Sequence, residues 1–259
     1  MYGQLTGFAA PLVAFPLIFI TAIVMSLVPM VSAANKLGNR KDLNGNVSLG
    51  IRMCTIVAFP CSAGIVILAE PILQLLYPTQ KASALSAVPC MQTLAIGFIF
   101  LALITVMTGA LQGIGKQVIP VTNLFLGVLV KFAVTWMLVA IPSINIVGAA
   151  LGTMAAYIVA ATLDFLALRK FTGVRLSISL TIIKPFISAL VMGVVVFFAY
   201  KGAYALLASN GTATIISILV GVAVYGLMIL RTKAVQRDEI IHLSIGRKIA
   251  SICDKLRLW

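Results

Sequence analysis

Lys131 is a charge set in the middle of an apolar run, residues 118–141. A run of that length crosses a bilayer, whose core of about 30 Å takes roughly 20 helical residues. Lys131 lies ten residues beyond Val121, or about 15 Å along a helix, which places it near mid-membrane. A charged side chain there costs about 2.5–3.5 kcal/mol on insertion scales, so it turns toward protein or water rather than lipid. Asn123, Gly127, Lys131 and Thr135 follow at four-residue steps and make a polar stripe that winds slowly round the helix. The chemistry open to such a stripe is non-covalent. An ammonium can act as a point charge for an anionic, phosphate-bearing head group, with Asn123 and Thr135 as polar neighbours. The plainer reading is a lysine that snorkels or is paired for stability.

The remaining ionisable groups frame that choice. Asp164 lies about one turn from the cytoplasmic end of its own apolar run and follows Ala160 on a face of small residues, Gly148, Gly152, Ala156 and Ala160. Its depth differs from that of Lys131 by about 9 Å on straight helices, so a direct salt bridge needs tilt or long reach. The small residues at every fourth position predict close approach of a neighbouring helix. Arg52 and Glu70 sit near opposite ends of one run and read as interface residues, with Arg52 and Asp164 as secondary candidates for the site. The chain has six acids, and none is expected at mid-membrane. A site for Na⁺ or H⁺ usually needs one. No zinc-protease, nucleophile-elbow or Walker pattern is present, Gly113-Ile114-Gly115 reads as a helix break, and no cofactor is implied. Cys54, Cys61 and Cys90 stand in apolar runs without metal-type spacing and read as small hydrophobes.

The elements that must position these residues follow from composition. Of 259 residues 61% are hydrophobic and 10% charged, with mean hydropathy +1.13, against roughly 25% charged in soluble domains. That excludes a soluble fold and predicts an all-α polytopic membrane protein, since runs this long satisfy their backbone in lipid only as helices. Seven spans are expected, over 7–31, 51–76, 87–111, 118–141, 146–168, 182–206 and 213–230. Residues 1–230 form the bundle and 231–259 a basic cytoplasmic tail. The net charge of +13 is not a nucleic-acid footprint, because no basic patch with interleaved aromatics occurs away from the span ends. Lys36, Arg40 and Lys41, then Lys116, then Arg169, Lys170, Arg175 and Lys184, then the tail, alternate with loops that hold only Lys81 and Lys201. Basic loops mark the cytoplasmic side, so the N-terminus is expected outside and the C-terminus inside, in the cell membrane. No cleavable signal peptide is expected, because the first run is long, holds three prolines and lacks a basic lead-in. In the tail, Ile241, Ile245, Ile249, Ile252, Leu256 and Trp259 recur at three- and four-residue steps between basic residues, which predicts an amphipathic helix on the inner leaflet.

Four motifs carry a family resemblance: Tyr2-Gly3-Gln4-Leu5-Thr6-Gly7, the Ser26-Leu27-Val28-Pro29 turn, Leu111-Gln112-Gly113-Ile114-Gly115-Lys116 and Ile146-Val147-Gly148-Ala149-Ala150. In order and spacing they resemble the stage V sporulation protein B and polysaccharide biosynthesis family of the multidrug/oligosaccharidyl-lipid/polysaccharide flippase superfamily. The resemblance implies two helical lobes around a cavity that opens to either side in turn, and a match to the second lobe. A fragment, a truncated product or half of a split transporter is therefore expected, with a second lobe as partner alongside membrane lipids. The expected substrate is a lipid-linked oligosaccharide, peptidoglycan or polysaccharide precursor, and Lys131 falls where relatives commonly carry a lysine. One departure is visible. Relatives often place a glutamate after the serine that follows the Ser-Leu-Val-Pro stretch, and here Ser32 precedes Ala33. The rival readings are a cation-coupled multidrug antiporter of the same superfamily and a non-transporting membrane scaffold.

Overall fold

A computed structural model describes residues 4–141 and 146–232. Among the described residues every regular element is helical. In chain order the α-helices are α1 (Ala10–Ala14), α2 (Leu17–Lys36), α3 (Arg40–Ile67), α4 (Ala69–Leu76), α5 (Lys81–Ser86), α6 (Val88–Gly113), α7 (Val118–Val139), α8 (Ile146–Thr172), α9 (Lys184–Leu207) and α10 (Asn210–Arg231). Among the described residues seven helical stretches are long and apolar enough to cross a membrane, as the sequence predicts. The amphipathic tail helix expected over 241–259 lies outside the described residues.

Proline sets the breaks. Pro16 separates α1 from α2, and the turn tightens there: the Ile18 N–H donates to the Phe15 carbonyl at 3.3 Å and the Phe19 N–H to the Pro16 carbonyl at 3.1 Å. Pro29 lies inside α2 without ending it, so Ser26-Leu27-Val28-Pro29 is helix and not the turn expected. The second span is also shifted. It was expected over 51–76, but α3 covers Arg40–Ile67 and α4 is a separate helix. Two causes act. Asn39 caps α3 by accepting from the Asp42 N–H at 3.2 Å, so the helix starts in polar sequence that hydropathy does not register. Pro71 has no N–H to give to Ile67, which breaks the ladder at Leu68.

Among the described residues three helix ends close on left-handed glycines, Gly38 after α2, Gly115 after α6 and Gly173 after α8. Gly115 has φ +77°, with the Lys116 N–H donating to the Leu111 carbonyl at 2.8 Å and the Gly115 N–H to the Gln112 carbonyl at 2.9 Å. This double bond pattern is a Schellman cap, which needs φ > 0 and therefore favours glycine. The helix break read at Gly113-Ile114-Gly115 is this cap.

The chain divides into two compact units, residues 1–176 and 177–259. In the first, α6 is the hub and packs against α2, α3 and α8. Small residues set the spacing: a Cβ on Gly109 would meet Val24 Cγ1 at 2.5 Å, and one on Gly50 would meet Leu27 at 2.6 Å. At the edge of this unit, α7 packs along α8. In the second unit α9 and α10 form an antiparallel pair, with Gly221 against Val196 and the Tyr200 hydroxyl donating to Asn210 Oδ1 at 2.8 Å.

Candidate functional site

The seam between α7 and α8 holds most of the residues the sequence singles out. The small face of α8 does what its spacing predicts. A Cβ on Gly148 would lie 2.9 Å from Leu138, and one on Gly152 would collide with the Thr135 hydroxyl and stand 3.2 Å from the Lys131 carbonyl oxygen. On the other wall, a Cβ on Gly127 would lie 2.9 Å from the Ala156 carbonyl oxygen. The helices run antiparallel, so four residues forward on α8 match four residues back on α7. The register that seats Gly152 on Thr135 carries on to seat Asp164 beside Asn123.

There the Asn123 amide donates to Asp164 Oδ1 at 2.8 Å. Asp164 is fully buried, and its Oδ2 has no hydrogen-bond partner among the described residues. The Thr108 hydroxyl of α6 is the other polar group at this carboxyl. A salt bridge from Lys131 to Asp164 does not form. Lys131 lies eight residues from Asn123, about 12 Å along α7, so the seam's register puts the acid two turns away. Asp164 is also farther from the end of its helix than expected, because α8 continues to Thr172 rather than ending near 168.

Lys131 and Thr135 come together, although their side chains differ in setting. Thr135 Oγ1 is buried against Gly152 with no hydrogen-bond partner among the described residues. The Lys131 side chain is exposed. Both border an open concavity of about 600 Å³ whose other walls are Val128, Phe132, Trp136 and Val139 of α7 and Ala140 just after it. Phe132 and Trp136 are 68% and 74% exposed, with ring centroids 6.0 Å apart. The arrangement offers one cation amid apolar and aromatic surface, which suits an amphiphile with an anionic head. The stripe is thus split: Gly127, Asn123 and Thr135 serve the seam, and only Lys131 projects its charge clear of it.

The secondary candidates lie elsewhere. Arg52 is buried in α3 at 8% exposure and engaged in the packed interior. α3 starts early, at Arg40, so Arg52 lies about 18 Å along the helix rather than near its end. Glu70 is exposed at the start of α4 and accepts from Gln74 Nε2 at 3.0 Å. Among the described residues no group of three His, Cys, Asp or Glu side chains is placed to hold a metal ion.

Known proteins are similar to this chain in sequence and fold. The family model described as lipid II flippase MurJ matches residues 6–224. The uncharacterized membrane protein YabM of Bacillus subtilis (strain 168) is 25% identical over 252 residues, covering 93% of this chain and 44% of that protein. Lipid II flippase MurJ of the same organism is 26% identical, covering 76% of this chain and 36% of that protein. Its stage V sporulation protein B is 23% identical, covering 96% and 47%. A solved structure of lipid II flippase MurJ in an inward closed conformation superposes with TM-score 0.60 at 17% identity, over 85% of this chain and 46% of that one; this likeness shows the fold. The chain spans about half the length, or less, of the curated relatives it matches. Since the family model covers most of its length, this multi-pass membrane protein belongs to the lipid II flippase MurJ family.

Proposed function

We propose that this chain supplies one lobe of a flippase that moves a lipid-linked oligosaccharide, peptidoglycan or polysaccharide precursor across the cytoplasmic membrane. One observation carries the reading: the exposed ammonium of Lys131 within the apolar concavity of α7. A pyrophosphate head must cross a core of about 30 Å that dissolves no charge. A cation at mid-depth beside aromatic walls gives that head a stopping point and gives the attached chain an apolar surface. Names among the relatives, lipid II flippase and stage V sporulation protein B, support the substrate class. Those proteins are about twice as long as this chain or longer, which supports a second lobe. The direct test is a vesicle assay in which an undecaprenyl-pyrophosphate-linked saccharide becomes reachable by a membrane-impermeant probe. Vesicles holding this chain together with the complementary lobe of a relative should translocate it, and empty vesicles should not. Equal rates in both would sink the reading.

Orientation belongs to the same proposal. The basic residues Lys36, Arg40, Lys41, Lys116, Arg169 and Lys170 lie at one set of helix ends, and Lys81 lies beyond the other. The positive-inside bias puts the first set in the cytoplasm. A reporter joined after Trp259 should then read cytoplasmic and one inserted at Ser209 external. The reverse pattern would overturn the assignment.

A further inference from the structure

We propose that the helix ends gathered around Phe171 bind the phosphate of an anionic phospholipid through Arg40, Lys116 and Lys170. Arg40 Nη1, at the start of α3, donates to the Phe171 carbonyl oxygen at 3.0 Å. Lys116 Nζ, after the α6 cap, lies 5.2 Å from the Phe171 ring centroid, and Lys170 Nζ lies 6.0 Å from it. Three cations distant in sequence thus converge on one residue. All three are exposed.

Among the described residues little neutralises them. The described residues include only three acids. Asp164 is buried with Asn123, and Glu70 pairs with Gln74 on α4. Asp42 is two residues from Arg40, but its Oδ2 accepts from Asn39 Nδ2 at 2.7 Å within the α3 cap. Like charges held close without a counter-ion repel one another, and an anion relieves that cost. The surroundings point to a lipid anion. Leu37, between Lys36 and Arg40 in the chain, is 82% exposed, and Val118, two residues after Lys116, is 67% exposed. Apolar side chains beside basic ones fit the boundary between acyl chains and head groups. Arg40 spends one N–H on Phe171 and keeps the rest of its fork for phosphate, while the two lysines add point charges.

Only the choice of leaflet rests on the orientation proposed above. Binding is read without transport, so the two readings fail separately. The test is thermal unfolding of the full chain in neutral detergent, titrated with phosphatidylglycerol, phosphatidylcholine or inorganic pyrophosphate. Phosphatidylglycerol should raise the unfolding temperature saturably and phosphatidylcholine should not. Replacing Lys116 and Lys170 together by Gln should weaken the apparent affinity about 25-fold, at roughly fivefold per basic residue. Replacing both by Arg should keep it within about threefold, and Lys81→Gln should leave it unchanged. If the double Gln variant unfolds too readily to titrate, Lys170→Gln alone should lose about fivefold. Equal binding of phosphatidylcholine would overturn the proposal. So would unaltered phosphatidylglycerol affinity in the Gln variants, or a pyrophosphate response that matches the lipid's and reveals a site for free ions.

Discussion

Gly152→Leu is expected to part α7 from α8 and to destabilise the folded chain in detergent by about 3 kcal/mol or more, toward the upper end for overpacked sites. The geometry leaves no slack. A first carbon at Gly152 already collides with the Thr135 hydroxyl and stands 3.2 Å from the Lys131 carbonyl oxygen. Thr135 can turn away, but the Lys131 backbone can yield only if the helix moves. A leucine adds three more carbons against the same wall. Leu151→Ala is the comparison, because Leu151 is only partly buried and its removal leaves the seam in register. Gly152→Ala should fall between the two. Pairing it with Thr135→Ala should recover part of the loss, since the nearest clashing atom is then gone while the Lys131 carbonyl remains. That recovery is a coupling a double-mutant cycle reads directly. Equal unfolding temperatures for Gly152→Leu and Leu151→Ala would remove the seam from the account of stability.

The seam also shows how far the sequence could be read. Each stripe was visible on its own helix: Gly148, Gly152, Ala156, Ala160 on one, and Asn123, Gly127, Lys131, Thr135 on the other. Their four-residue spacing made them faces. It did not say that the two faces were turned to each other, because spacing fixes an angle around one helix and not the register between two. Once they meet, Asp164 has a partner, and it is Asn123 rather than Lys131. The stripe's continuation from Ala160 to Asp164 was the signal that could have suggested this pairing.

The spans illustrate a second limit. Hydropathy measures where lipid can be, and a helix extends wherever its backbone bonds continue. Residues 40–50 are too polar to be in lipid, yet α3 begins there behind the Asn39 cap. Arg52, expected near the end of its span, therefore lies well inside α3 and is buried. The cluster at Phe171 joins Arg40 to a residue 131 positions away, and no local pattern reaches that far.

Lys131→Gln is expected to lower transport about 10–100-fold while the protein stays folded and inserted. The loss corresponds to one charge-assisted hydrogen bond to phosphate, about 1.5–3 kcal/mol. Lys131→Arg should retain much of the rate, because position and charge are both kept. Stability should move the other way or not at all. Lys131 is exposed, and its nearest intramembrane acid is held by Asn123. Neutralising it removes the cost of a charge at mid-depth without stranding a partner. Asn123→Ala is the contrasting variant. It takes the hydrogen bond from a fully buried carboxylate, so it should destabilise the bundle by about 1–3 kcal/mol and reduce transport only through the amount of folded protein. Both readouts are needed on the same variants, in vesicles that also hold the complementary lobe. A folded Lys131→Gln protein that translocates precursor at the normal rate would end the role given to Lys131. If Lys131→Gln and Asn123→Ala lost transport and stability together, the lysine would be part of the seam and not of the path.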